Sequence, residues 1–244
     1  MHEFSAAPTI ALRWGSIRTA LRERFAPRVV VYTAITVGYD DLPPPASTIP
    51  GWHYLCFTDE PSVARPGWEI RALERSDLDP ARRSRLPKIL AHHCLVDYDI
   101  SIWLDANIRI AGDLAAFRKM ALADADIALF RHGERRPSVA AEVEVCARIG
   151  KAPHDVMARQ YETYRAAGFP DNAGVIPECS VIVRRHHRPS VRAAMEEWWD
   201  ELLKHSARDQ ISMPYVIWRN SLPIRMLDWN WRESPWFRGV PHAR

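Results

Sequence analysis

The chain has 244 residues, enough for one large α/β domain and short for two. Hydrophobic residues make up 47% and charged residues 26%, the balance of a protein with a packed core rather than of a disordered or fibrous chain. A net charge of +3, from 33 Lys and Arg against 30 Asp and Glu, gives no argument for nucleic acid, and the arginines are scattered among acids instead of forming a tail.

Residues 1–27 read as an N-terminal extension and 28–244 as one domain. The extension mixes arginines with short apolar pieces but has no continuous apolar core for a signal peptide, and no run reaches membrane-spanning length. The expected compartment is therefore the cytoplasm. Segment 17–25 is the stretch suited to peripheral membrane contact, with a plain surface helix as the competing reading.

Residues 28–36 are apolar throughout, as a strand buried on both faces should be. A proline-rich loop follows, then strands at 53–58, ending at Asp59, and at 68–71. A basic segment containing Arg82, Arg85 and Lys88 leads into a helix predicted to run from Lys88 to Val96, with Pro87 at its start or at a kink. Next come a strand at 99–104 closed by Asp105-Ala106-Asn107, the short run 108–110, a helix from about Asp113 and a strand at 127–130. Helices at about 138–149 and 153–167, a strand at 180–183, helices at about 189–204 and 208–218 and a strand at 224–227 complete the pattern. Alternating strands and helices predict an α/β fold with a mixed, mostly parallel sheet flanked by helices.

In such sheets ligands lie beyond the carboxyl ends of the strands. Asp105 and Asn107 are two residues apart and project to one side if the extended backbone continues. Two hard oxygen ligands there suit Mg²⁺ or Mn²⁺, which leave positions open for phosphate oxygens. The alternative is a simple turn. Thr33 and Asp59 close other strand ends, where Asp59 is either a hydrogen-bond acceptor for a base or ribose or a turn residue. Arg82, Arg85 and Lys88 recur at helical spacing, either a plain solvated face or a stripe that neutralises a diphosphate. Glu178, placed just before the 180–183 strand, and Asp209, opening a helix, are the acidic candidates, with an N-cap role competing for Asp209. His132 and His242 are further metal-ligand candidates, set against an ordinary surface role. Trp229, Trp231 and Trp236 divide between core packing, the larger share, and stacking on sugar rings. Cys56, Cys94, Cys146 and Cys179 lie far apart without a C-x-x-C pair, and three sit in apolar stretches where a free thiol packs as a small hydrophobe.

Several blocks occur in a recognisable order: Val31-Tyr32-Thr33-Ala34-Ile35-Thr36-Val37-Gly38-Tyr39-Asp40, Cys56-Phe57-Thr58-Asp59, Lys88-Ile89-Leu90-Ala91-His92, Ser101-Ile102-Trp103-Leu104-Asp105-Ala106-Asn107 and Ser206-Ala207-Arg208-Asp209-Gln210. Together with Glu178-Cys179-Ser180, they resemble the glycosyltransferase-like family that includes plant mucilage-related and turgor-regulation proteins. The resemblance implies a GT-A-type fold and a metal-dependent transfer of sugar from a nucleotide-diphosphate donor, a UDP-sugar first, to a glycan or small-molecule hydroxyl. It implies metal and diphosphate ligation by Asp105 and Asn107, and His242, a candidate by residue type alone, is the expected further ligand. By the same likeness Thr33, Asp59 and Lys88 become candidate donor contacts, joined by Arg85 from the basic stripe, and Glu178 and Asp209 become candidates at the sugar or acceptor. Asn107 stands where the commoner motif has a second acid, which motivates a competing reading as an inactive, binding-only scaffold. A metal-dependent lipid hydrolase is a further alternative, although the sequence offers no G-x-S-x-G elbow.

Overall fold

The computed structural model describes residues 26–73, 77–134, 136–171 and 176–242. Segment 17–25, considered above for membrane contact, lies outside them, and no helix among the described residues is long and apolar enough to cross a membrane.

Strand β1 (Val29–Ile35) is buried at every position. Alternate side chains enter two different cores: Val30 and Tyr32 join one, Val29, Val31 and Ile35 the other. A strand with apolar groups on both faces must lie inside a sheet covered on both sides. It pairs in parallel with β2 (His53–Thr58) and β4 (Ile100–Leu104), and β2 pairs in parallel with β3 (Glu69–Ala72). β5 (Ile108–Ile110) leaves the main sheet, and β6 (Ile127–Arg131), β7 (Pro177–Arg184) and β8 (Arg225–Leu227) complete it. The order is β3-β2-β1-β4-β7-β6-β8, with β7 alone running against the others. The fold is thus a mixed α/β sheet, mostly parallel, as the alternation of elements predicts.

Helices cover both faces. α1 (Pro80–Ile89) and α2 (Ala91–Cys94) follow β3, and α3 (Leu114–Ala121) starts at its N-cap Asp113, whose carboxylate accepts from the Ala115 and Ala116 N–H groups. α4 (Val139–Arg148) is capped by Ser138, and α5 (His154–Ala166), α6 (Pro189–Lys204) and α7 (Asp209–Arg219) complete the set. Two expectations change. The helix predicted from Lys88 to Val96 begins earlier, at Pro80, and breaks at Leu90 (φ −89°, ψ 46°). Beyond the last predicted strand at 224–227, the C-terminal stretch contains β9 (Phe237–Gly239), which pairs antiparallel with β5. Gly112 makes that pairing possible: a Cβ there would lie 2.6 Å from the Pro235 carbonyl oxygen.

The break at Leu90 has a long-range cause. Arg184, fully buried on β7, donates to the Lys88 carbonyl at the end of α1, to Tyr32 Oη (2.6 Å) and to Met195 Sδ (2.9 Å). It occupies the place where the next turn of helix would need its own donor. Arg184→Ala is expected to cost about 3–5 kcal/mol, from the cavity and the stranded carbonyl, and Arg184→Met distinctly less, as read by urea denaturation.

Burial also leaves a pH signature. His186 is fully buried, with its ring nitrogen 3.2 Å from the Leu95 carbonyl, and burial first, then Arg184, push it down to about 3. The unfolded chain binds this proton below about pH 6.5, whereas the folded state refuses it until about 3. Its contribution is full above the unfolded value and falls with acidification between the two, at about 1.4 kcal/mol per pH unit. His186→Gln should flatten that limb of the stability profile; an unchanged slope would assign it to other groups. The four cysteines are free, and burial pushes the thiols of Cys56, Cys94 and Cys146 up to about 11, so they pack without reacting at neutral pH.

Candidate active site

A crevice of about 640 Å³ opens at the carboxyl edge of the sheet. Ala34 and Ile35 from β1, Thr36 just after it and Asp105 to Asn107 after β4 line it, and because β7 runs the other way, Glu178 and Ser180 near its start reach the same edge. Arg85, Asp209, Trp231, Arg232 and His242 also line it. Volume and placement suit a small-molecule site. A cavity of about 720 Å³ at the amino ends of β1 and β4 shares none of these residues. Its Arg185 is already used, donating to the Leu122 and Ala125 carbonyls at the end of α3.

Lys88 anchors the floor. It is 3% exposed, and its ammonium pairs with Asp209 Oδ2 and with Asp105 Oδ1 at 3.2 Å, while lying 5.3 Å from the Trp103 ring centre. Arg85 Nε holds the other Asp209 oxygen at 2.6 Å. Burial by itself would raise Asp209, but Arg85 and Lys88 outweigh it and hold the carboxyl far below the usual range. Burial likewise opposes the charge on Lys88, and Asp105 and Asp209 overcome it, raising the lysine. Asp209 does not cap its helix: Arg208 is the cap residue, no side chain closes it, and the acid faces the cations instead. The basic stripe divides by role. Arg82 donates to the Leu202 and His205 carbonyls at the end of α6, so only Arg85 and Lys88 of the three serve the crevice.

Asp105 Oδ1 also accepts from Trp103 Nε1 (2.8 Å), two residues back on the same side, which leaves Oδ2 without a protein partner among the described residues. The Asn107 amide nitrogen is 3.4 Å from His242 Nε2, and His242 Nδ1 is 2.9 Å from Asp40 Oδ1. With Asp40 accepting, the proton sits on Nδ1 and Nε2 presents its lone pair to Asn107. A half-turn of that amide puts its oxygen beside the same lone pair. A carboxylate oxygen, an amide oxygen and an imidazole nitrogen backed by a carboxylate form a donor set that fits Mn²⁺ or Mg²⁺.

Glu178 lies within β7 rather than before it, which corrects the sequence reading. The β6–β7 register jumps between Leu129 and Phe130, and the bulge turns Glu178 toward the C-terminal segment. Its Oε1 accepts from Trp231 Nε1 and Arg232 Nη1, both at 2.8 Å, and from Ser180 Oγ at 3.2 Å; Oε2 accepts from Gly133 N–H at 3.2 Å. Burial pushes the carboxyl up, but Trp231 and Arg232 win and hold it below its ordinary value. Trp231 is both core and crevice wall, Trp236 packs against that core, and Trp229 is half exposed.

Three predicted contacts lie off the crevice lining: Lys88, buried beneath it, and Thr33 and Asp59. Thr33 is fully buried with its hydroxyl unpartnered among the described residues, and the Asp59 carboxylate takes Arg83 and the Val37 N–H. Asp40 escaped sequence reasoning; its one signal was its place in a family-like block immediately after a buried strand. His132 lines the crevice, its Nδ1 accepting from Glu134 N–H. Elsewhere His92 and His93 both direct Nε2 at Glu196 Oε1, at 2.7 and 2.9 Å. A cation there would force a proton onto the buried Nδ1 of His92, which has no partner among the described residues, so this cluster reads as a hydrogen-bonded triad.

The family model described as TOD1/MUCI70, glycosyltransferase-like domain, matches residues 67–231. Among curated proteins, the Arabidopsis thaliana alkaline ceramidase TOD1 is 27% identical over 183 residues, covering 67% of this chain and 38% of TOD1. The probable hexosyltransferase MUCI70 of the same plant is 26% identical over 146 residues, 57% of this chain and 25% of MUCI70. The chain therefore spans well under half of either relative. Among solved structures, the apo form of the bifunctional glycosyltransferase WbbM aligns with 83% of this chain and 39% of its own, at a TM-score of 0.49 and 10% identity.

Proposed function

This chain belongs to the TOD1/MUCI70 glycosyltransferase-like domain family, and from that premise we propose that it transfers a sugar, hexosyl or pentosyl, from a nucleotide-diphosphate donor to a hydroxyl of a glycan or small molecule. We take 28–244 as one GT-A-like domain working in the cytoplasm, with UDP-sugars as the first donors to test. The observation that carries the reading is the meeting of Asp105, Asn107, His242 and Arg85 in one crevice, with buried Lys88 paired to Asp105 beneath it.

In this mechanism Asp105, Asn107 and His242 hold Mn²⁺ or Mg²⁺, and the bound cation supplies neutralisation of a departing diphosphate. Arg85 reaches the crevice with its charge fixed in place by Asp209, so no reorganisation is needed as negative charge develops. Lys88, buried beneath, fixes Asp105. We assign Asp209 the role of counter-ion rather than base, because both of its oxygens are engaged and its carboxyl is held so low. Glu178 serves as an ionised acceptor for a substrate hydroxyl.

Every carboxylate lining the crevice among the described residues already has a cationic or histidine partner: Asp40, Asp105, Glu134, Glu142, Glu178 and Asp209. Inversion calls for a base within reach of the acceptor hydroxyl and basic enough to take its proton, and the carboxyls of Glu178 and Asp209 are both held below their ordinary values. We therefore expect retention of anomeric configuration, read by NMR of the first-formed product; an inverted product would contradict this part of the mechanism.

The name of TOD1 supports a second reading, hydrolysis of a lipid amide, and the exposed side chains of Val37, Tyr39 and Ile149 around the crevice suit an amphipathic substrate. One experiment separates the readings: wild type and Asp105→Ala with Mn²⁺ and a panel of nucleotide sugars, and in parallel with ceramide. Release of nucleotide that needs Asp105 supports transfer. Fatty acid released without any nucleotide sugar supports hydrolysis. Nucleotide binding without turnover across broad acceptors supports a binding-only scaffold.

A further inference from the structure

After β1 the chain makes a tight turn in which Tyr39 N–H donates to the Thr36 carbonyl at 3.2 Å. Its two central residues, Val37 (φ 51°) and Gly38 (φ 58°), both lie in the left-handed region, the pattern of a type I′ turn. Glycine enters that region readily, whereas a β-branched valine does not. Such a conformation persists only where its surroundings over-determine it, and it is concentrated at functional sites.

The surroundings are specific. Val37 N–H donates to both oxygens of Asp59, at 3.0 and 3.2 Å, and Asp59 is gripped in turn by Arg83. Thr36 Oγ1 donates to the Pro80 carbonyl at the start of α1 (3.0 Å), and Arg65 Nη1 to the Asp40 carbonyl (3.3 Å). The turn delivers two side chains to one target: the Tyr39 ring lies 5.1 Å from the His242 ring, and Asp40 Oδ1 is 2.9 Å from His242 Nδ1.

We propose that Asp40 is the positioning residue of His242, fixing the proton on Nδ1 so that Nε2 presents a lone pair beside Asn107, and that Asp59 acts on the same histidine indirectly by clamping the Val37 turn. The part that concerns a cation rests on reading Asp105, Asn107 and His242 as its ligands. Asp59 is thereby a positioning residue, not a contact to the nucleotide base. The arrangement is the carboxylate–histidine pairing that orients a metal-binding imidazole, and losing such a partner weakens metal affinity by about 10- to 100-fold.

The test uses the full chain and two readouts. Nitrogen-15 NMR of the imidazoles, without metal at mildly alkaline pH, reports the His242 tautomer. Calorimetry with Mn²⁺ alone reports affinity. Wild type should show the Nδ1–H form. Asp40→Leu, which removes the acceptor, should release the ring toward Nε2–H and weaken Mn²⁺ about 10-fold or more. Asp59→Ala, which removes the acceptor of the Val37 N–H, should weaken Mn²⁺ in the same direction, and adding Val37→Gly should restore it, because glycine holds the turn without the clamp. An Nε2–H tautomer in the wild type, or a tautomer unmoved by Asp40→Leu, overturns the proposal, as does an Asp59→Ala loss that Val37→Gly leaves unrescued. If Asp105→Ala leaves Mn²⁺ binding untouched, the cation reading fails, and the tautomer alone still decides the role of Asp40.

Discussion

Asp209→Asn is expected to be among the most damaging single changes in the crevice, costing about 3–5 kcal/mol of stability, because it strips a buried ammonium and a largely buried guanidinium of their shared anion. Lys88 keeps Asp105, but Arg85 Nε loses its carboxylate. Removing one member of a buried ion pair leaves an uncompensated charge, which is worse than removing both. Asp209→Asn combined with Lys88→Met should therefore recover part of the loss, and urea denaturation of the four proteins gives the coupling. The pH dependence has a definite sign. Burial opposes the charge on Asp209, yet Arg85 and Lys88 depress its carboxyl below the unfolded value of about 3.9. Its contribution is then complete above about pH 4 and is lost as the pH falls from there toward the depressed folded value. Unlike His186, it leaves stability unchanged between about pH 5 and 7. If Asp209→Asn were as stable as the wild type, the ion-pair floor would have no structural weight.

Glu178→Ala should act on the opposite wall, with a loss of about 3 kcal/mol or more and a disordered C-terminal segment. The substitution strands Trp231 Nε1, which is buried, together with the Gly133 N–H, the Ser180 hydroxyl and Arg232. Glu178→Gln should cost less than half of that. An amide oxygen can still take the three donors on Oε1, while the amide nitrogen opposes the Gly133 N–H that Oε2 accepts. Comparing near-ultraviolet circular dichroism of the two variants tests this, since Trp231 is fixed by Glu178. Equal tryptophan signals in Glu178→Ala and wild type would contradict it.

Much of the fold is written locally. β1 and β2 are apolar runs between turn residues, α3 and α4 begin at Asp113 and Ser138, and α6 opens with Pro189 at its first helical position. What escaped is what distant residues impose. Pro87 hints at a kink but does not place the break at Leu90, since the donor there, Arg184, arrives on β7. β9 is three residues flanked by Pro235 and Pro241, and exists because β5 and Gly112 receive it. Glu178 reads as a pre-strand residue until the bulge against β6 is known.

The site divides the same way. Asp105 and Asn107 can be found from alternation at a strand end, and Lys88 and Arg85 from helical spacing. Whether an acid is a cap, a base or a counter-ion depends on which cations fold against it, and for Asp209 these come from α1, far along the chain. The Asp40–His242 pair joins the first turn to the last described residue, a separation no local pattern bridges.

The central claim is a cation-dependent nucleotide site built on Asp105. Its most direct test is calorimetric titration of UDP into wild type and Asp105→Ala, each with Mn²⁺ and with chelator, after confirming that the variant is folded. The expected result is binding by wild type with Mn²⁺ that vanishes with chelator and in Asp105→Ala. Equal UDP binding in all four samples, or binding that survives loss of Asp105, would contradict the account.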